Sequence, residues 1–205
     1  MLLAIDTSAG TSVAVVDLAG GILAEESVTD TRSHAEVIGV LIDSALRAAG
    51  VAPRELSGVA AGMGPGPFTG LRVGIAAARA FALGIGRPVV SIVSHDAIAL
   101  DRTTPTLVVT DARRREVAWS RYGAPDELGL PVRLAGPDLA RPDDLETVVD
   151  GYPGLERIDA ATVSAGALGM LAERLFAAGR PFASSEALYL RAPDVTLSTP
   201  KRVTG

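Results

Sequence analysis

Gly64-Pro65-Gly66-Pro67-Phe68-Thr69-Gly70-Leu71-Arg72-Val73-Gly74 is the stretch whose reading decides the fold. The apolar residues 58–63 before it read as a buried strand, so the local order is strand, tight loop, helix. Pro65 and Pro67 fix φ and remove backbone donors, whereas Gly64, Gly66 and Gly70 open conformations closed to other residues. Beyond the loop, Gly70, Gly74, Ala78, Ala82 and Gly86 recur every fourth residue and lay a stripe of missing side chains along one helix face. Such a stripe lets another backbone come close. The helix N-terminus also offers free N–H groups to an anion, but packing is the leading reading.

Upstream, residues 2–8, 12–17 and 22–28 are short β-rich runs joined by glycine turns, an antiparallel meander. Ser33 opens a helix through residue 49, with Glu36 placed to complete a capping box and Gly50 to stop it. With a strand over 88–93, the first hundred residues read β-β-β-α-β-α-β, a mixed sheet with crossover helices. Strands then restart. Residues 106–111 and 116–122 flank Arg113-Arg114-Arg115 as a hairpin, which 131–135 extends. A short helix over 142–149 and an alanine-rich one over 163–178 follow. Residues 101–105 mark a boundary between a lobe of residues 1–100 and a smaller lobe of residues 101–205, whose end from Ser198 reads as a frayed tail.

Composition narrows the function. The chain has 205 residues, 48% of them hydrophobic, a net charge of −5, no cysteine and only two histidines. Disulfides, thiolate nucleophiles and cysteine metal sites are thereby excluded. Net acidity without a basic stripe argues against holding nucleic acid alone, and the arginine cluster reads first as a solvated turn. Met1 leads into Leu2-Leu3-Ala4-Ile5 without a basic segment, and no apolar run reads as a bilayer span, so a cytoplasmic setting without membrane contact is expected.

The helix over 33–49 has a wide apolar arc. Its charged residues, Glu36, Asp43 and Arg47, fall on one narrow stripe. Ile38, Leu41, Ala45 and Ala48 form one flank, and Ala35, Gly39, Ile42, Leu46 and Ala49 the other. Either both flanks are buried by the chain itself, or one docks on another protein. Candidate chemistry is sparse. Asp6, with Thr7 beside it, and Asp111 end strands, where carboxylates can orient a nucleotide's magnesium; the alternative is that each caps its turn. His34 and His95 cannot form a zinc site without carboxylates, and no Gly-x-Ser-x-Gly elbow or Walker loop is present. Arg72 reads as a phosphate ligand or, more commonly, a carboxylate partner.

Taken in order, Leu3-Ala4-Ile5-Asp6-Thr7-Ser8, Ser33-His34-Ala35, the Gly64–Gly74 stretch, Asp111-Ala112-Arg113 and Leu188-Tyr189-Leu190-Arg191-Ala192-Pro193-Asp194 resemble the TsaB (YeaZ) family. That family supplies the dimerisation subunit of the bacterial machinery that makes N6-threonylcarbamoyladenosine in tRNA. The resemblance implies an α/β, two-lobed ASKHA fold like that of sugar kinases, actin and Hsp70, with a mixed five-stranded sheet in the first lobe and a reduced second lobe. It implies a scaffold with no catalytic residue, metal or cofactor of its own, pairing with a catalytic TsaD-type paralogue and a TsaE-type ATPase, or with itself when alone. ATP and magnesium would be used by the partners, and tRNA met only indirectly.

The same resemblance assigns residues. Helices matching 33–49 and 69–83 bundle with the partner in the family. Ala35, Ile38, Leu41, Ile42, Ala45, Leu46, Gly70, Gly74, Ala78 and Ala82 are therefore the expected interface, with Gly64, Pro65, Gly66, Pro67, Phe68, Thr69 and Arg72 as the motif loop. The departures fit a scaffold. Catalytic relatives carry His-x-x-x-His, whereas here Ala99 follows His95; Asp111-Ala112-Arg113 lacks the glycine used to approach a phosphate; and Pro67 stands where serine is frequent. The rival readings are a small Mg-ATP-dependent phosphotransferase or ATPase using Asp6 and Asp111, and a peptidase, which the missing histidine and nucleophile disfavour.

Overall fold

The computed structural model describes residues 1–30 and 33–191, so residues 192–194 of the last resembling segment and the tail from Ser198 lie outside the described residues. Strands β1 (Leu2–Asp6), β2 (Thr11–Asp17) and β3 (Gly21–Val28) form the meander, and β4 (Gly58–Gly62) and β5 (Val89–Ile92) complete a five-stranded sheet in the order β3-β2-β1-β4-β5. β1 pairs antiparallel with β2 and parallel with β4, which pairs parallel with β5. Helices α1 (His34–Ala49) and α2 (Phe68–Ile85) cover one face, burying Leu3, Ile5, Val13 and Val15 with Ile38, Leu41, Leu71 and Ile75. The short α3 (Ser94–Ile98) leads out of β5 toward the second sheet.

That second sheet has four strands in the order β8-β7-β6-β9, with β6 (Thr106–Asp111), β7 (Val117–Tyr122), β8 (Arg133–Ala140) and β9 (Glu156–Ala160). It repeats the plan of the first with one strand fewer: antiparallel neighbours on one side of β6 and a parallel one on the other. Helix α4 (Leu145–Val148) buries Leu145 with Leu107, Val109 and Trp119.

The linear division into lobes needs correction at the C-terminal end. Helix α5 (Ala165–Ala177) does not stay with the second sheet. It returns to the first and packs on the face opposite α1 and α2, burying Leu168 and Leu171 with Ala4, Ala14 and Val16. Close approach explains why glycines stand there: a Cβ on Gly169 would lie 2.7 Å from Val16 Cγ2. The start of α5 is held from β2 and β3, where Ser12 Oγ accepts from Ala165 N–H and the Glu25 carboxylate accepts from Ser12 Oγ, Ser164 Oγ and Gly166 N–H. The expected capping box at Ser33 does not form; its hydroxyl donates to Asp30 instead. By length and composition α2 is long and apolar enough to cross a membrane, which amends the sequence expectation, yet its inner face belongs to the core of the first sheet.

Candidate functional site

Construction of the site begins at the β1–β2 turn. Asp6 is buried, and its oxygens are consumed by the chain: Oδ1 accepts from the backbone N–H and hydroxyl of Ser8 at 2.8 and 2.6 Å, and Oδ2 accepts from the Ser94 hydroxyl at 2.5 Å. Burial raises its pKa, against the lowering effect of those donors. Ser94 Oγ also accepts from Gly64 N–H, and Ser94 N–H donates to Gly64 O, so Asp6 pins the start of the glycine-proline loop through one serine. Gly62 is glycine because a Cβ there would lie 1.9 Å from Asp6 Oδ2.

Thr7 has an equally internal task. Its hydroxyl donates to Gly70 O at 2.7 Å and accepts from Gly74 N–H at 3.1 Å, engaging both ends of one rung of α2. A Cβ on Gly74 would sit 2.1 Å from that hydroxyl, and one on Gly70 would sit 2.6 Å from Thr7 O and 3.0 Å from His34 Nε2. The small-residue stripe does admit a close backbone, but that backbone is the chain's own β1–β2 turn. Gly70, Gly74, Ala78 and Ala82, expected at a partner interface, are buried within the first lobe. So are Ile38, Leu41, Ala45 and Leu46 of α1; of the expected set only Ala35 is exposed and Ile42 half-buried.

Asp6 and Asp111 therefore do not share a cleft. A cleft of ≈380 Å3 lies between the sheets, walled by Pro65, Gly66, Pro67 and Phe68 on one side and Asp111, Arg113 and Arg114 on the other, with Tyr189 and Arg191 at its rim; Asp6 is not among its lining. Asp111 is exposed and caps its own turn by accepting from Arg113 N–H. Arg72 does not reach the cleft as a phosphate ligand. Its guanidinium lies 3.7 Å from the Phe68 ring centroid, and the Phe68 and Tyr189 rings lie 4.8 Å apart.

The histidines are likewise occupied. His34 Nδ1 lies 2.7 Å from Thr11 Oγ1, and burial lowers its pKa. His95 is fully enclosed, with Nδ1 2.8 Å from Ser120 Oγ and Nε2 2.9 Å from Thr110 Oγ1; burial lowers its pKa to about 3. Ala99, where a second histidine would stand, is packed against Val108 and Tyr122. Beside it, Asp96 accepts from Tyr122 Oη at 2.7 Å and faces Arg133 Nε at 3.5 Å.

Residues 9–178 match the family described as TsaD: tRNA N6-adenosine threonylcarbamoyltransferase. The chain belongs to the TsaD family. Within it the chain is of the TsaB/YeaZ type. It is 33% identical over 104 residues to the Escherichia coli tRNA threonylcarbamoyladenosine biosynthesis protein TsaB, covering 48% of this chain and 45% of that protein. An uncharacterized Mycobacterium leprae protein is 43% identical over 150 residues, 71% of this chain and 40% of its own length. The chain thus spans less than half the length of these curated relatives. Pseudomonas aeruginosa YeaZ superposes with a TM-score of 0.73 at 25% identity, over 93% of this chain and 99% of that one. A second P. aeruginosa structure, described as an uncharacterized protein with similarity to peptidase YeaZ, gives 0.75 at 27% over the same shares. The ASKHA-type expectation for the fold holds.

A metal of the kind a His-x-x-x-His pair binds does not fit this TsaB-type chain at His95. Both ring nitrogens are engaged by hydroxyls, and the second ligand position is apolar core. Ser94, Ser120 and Thr110, which hold Asp6 and His95, were not singled out by sequence reading. Ser94 left a signal, a polar residue just beyond an apolar strand and directly before His95.

Proposed function

We propose that this chain is a non-catalytic subunit supporting threonylcarbamoyl transfer to the anticodon-adjacent adenosine of tRNA, docked on a TsaD-type catalytic paralogue and working with a TsaE-type ATPase in the cytoplasm. The observation that supports this reading is that Asp6, Thr7 and His95 are each buried and bonded to partners within the chain, and none of them lines the cleft between the sheets.

The docking surface moves one helix face outward from the expected residues. With the inner faces of α1 and α2 covered, the solvent side carries Ala35, Gly39 and Val40 on α1 and Ala76, Ala80 and Leu83 on α2, with Val40 68% and Leu83 84% exposed. These apolar residues share the outer faces with the exposed charges Glu36, Asp43 and Arg47 on α1 and Arg72 and Arg79 on α2, and a helical bundle with a partner, or with a second copy, would cover both together. Burial of that surface would stabilise one conformation of the partner, a population shift needing no chemistry in this chain.

Val40→Glu with Leu83→Glu is expected to abolish stoichiometric co-purification with the TsaD-type paralogue while leaving the melting temperature of the isolated chain unchanged. Undiminished co-purification would remove the outer α1–α2 face from the account. Gly74→Leu is unsuitable as a docking test, because it would collide with Thr7 inside the lobe.

A further inference from the structure

ASKHA-type lobes meet across a cleft, and two lobes of one chain ordinarily move relative to each other unless a large apolar interface prevents it. Here the contacts at that junction are of an unusual kind. On one side of the junction between the sheets, its floor, α3 belongs to the first sheet by connectivity, yet His95 places both ring nitrogens on the second, at Ser120 of β7 and Thr110 of β6. The next residue, Asp96, bonds Tyr122 of β7 and faces Arg133 of β8. Apolar packing reinforces the same floor, because Ala99 is buried with Val108 and Tyr122, and Leu130 joins the core around α5.

At the mouth of the cleft a second set of contacts closes the other side. Residues 183–191 run as a strap: Ala183 N–H donates to Ser91 O of β5, Leu188 N–H to Met63 O, and Arg79 on α2 donates to Ser185 O. Tyr189 then packs on Phe68, and Arg191 pairs with Glu116 at the start of β7. The strap thus begins on the first sheet and ends in an ion pair on the second.

We propose that the two lobes are clamped at one separation by the His95–Asp96 floor and the 183–191 strap, so that the cleft does not open and close. The clamp makes the chain a rigid body. The bonds of His95 to Ser120 and Thr110 are buried, and a satisfied buried network holds one geometry, whereas a half-satisfied one would tolerate several; the partly exposed strap adds a second tether across the junction. The strap borders the docking face, since Arg79, which donates to Ser185 O, stands beside Ala76 and Ala80 on α2, whereas the His95–Asp96 contacts lie apart from it.

The test is a pulsed dipolar distance measurement between spin labels at Arg54→Cys, on the first lobe, and Glu146→Cys, on the second. Both positions are exposed, and the chain has no other cysteine. A single narrow distance distribution, unchanged by adding Mg-ATP, is expected. A broad or two-component distribution, or a shift on adding Mg-ATP, would overturn the clamp. Thr110→Val with Ser120→Ala, which strips both partners from His95 with little change of volume, and separately Glu116→Gln, which weakens the strap, are each expected to broaden the distribution. If the folded Thr110→Val/Ser120→Ala protein stays as narrow as the parent, the floor is not a clamp; if Glu116→Gln alone stays narrow, the strap is not part of it.

Discussion

His95 and Gly74 show how single residues carry the structure. A neutral imidazole held at about 3 in the folded state, against 6.5 when free, binds fewer protons than the unfolded chain between those values. Stability conferred by His95 is therefore lost as pH falls from about 6.5 toward 3, and His34, lowered in the same direction, adds to it. Asp6 and Asp96, both raised, act oppositely, their contribution fading as pH rises through their folded pKa values. Denaturant midpoints measured at about pH 7 and about pH 5 are expected to fall more for the parent than for His95→Gln; equal falls would contradict the assignment. Gly74→Ala is expected to cost about 1–3 kcal/mol by overpacking, since its Cβ would stand 2.1 Å from Thr7 Oγ1. Thr7→Ala in the same chain should recover part of that loss, which a double-mutant cycle of denaturant midpoints would read. The glycine stripe was legible at this scale because periodicity marks a face. Periodicity does not say what covers the face, and here Thr7 and His34 do.

Helices and strands with regular patterns were the most legible elements. The meander follows from short apolar runs between glycine turns, α1 from Ser33 and Gly50 at its ends, α2 from the glycine-proline loop before it, and the β6–β7 hairpin from two runs flanking the arginine turn. β9 was missed for a physical reason: Glu156, Arg157 and Asp159 make it a charged edge strand whose pairing with β6 needs no apolar run. β8 starts later and runs longer than the expected 131–135, continuing through Gly136 and Pro137 to Ala140. The helix over 163–178 was found, but its partner sheet was not, because nothing local to it shows that Glu25, in β3, will hold its start. Glu25→Ala is expected to destabilise the fold by about 1 kcal/mol, a modest value for charge-assisted bonds at an exposed site, through the loss of its bonds to Ser12, Ser164 and Gly166. An unchanged urea midpoint would show that α5 is seated by packing alone.

For the whole molecule, the fold repeats one sheet plan twice and then spends its polar groups on joining the copies. Two-lobed architecture was readable from the order of strands and from the family resemblance. The filling of the candidate site was not, because it depends on Ser94, Thr110 and Ser120 arriving from three separate elements. Among the exposed apolar residues, Val40 and Leu83 stand on the outer sides of α1 and α2, the surface proposed for docking, while others such as Phe176 on α5 and Leu134 on β8 lie elsewhere. The most direct test is the content of N6-threonylcarbamoyladenosine in tRNA from cells depleted of this chain, read by mass spectrometry of nucleosides. Depletion is expected to abolish the modification, with Asp111→Ala restoring it fully and Val40→Glu/Leu83→Glu failing to do so. Unchanged modification after depletion, or rescue by the docking variant together with failure of Asp111→Ala, would contradict a scaffold acting through its helices.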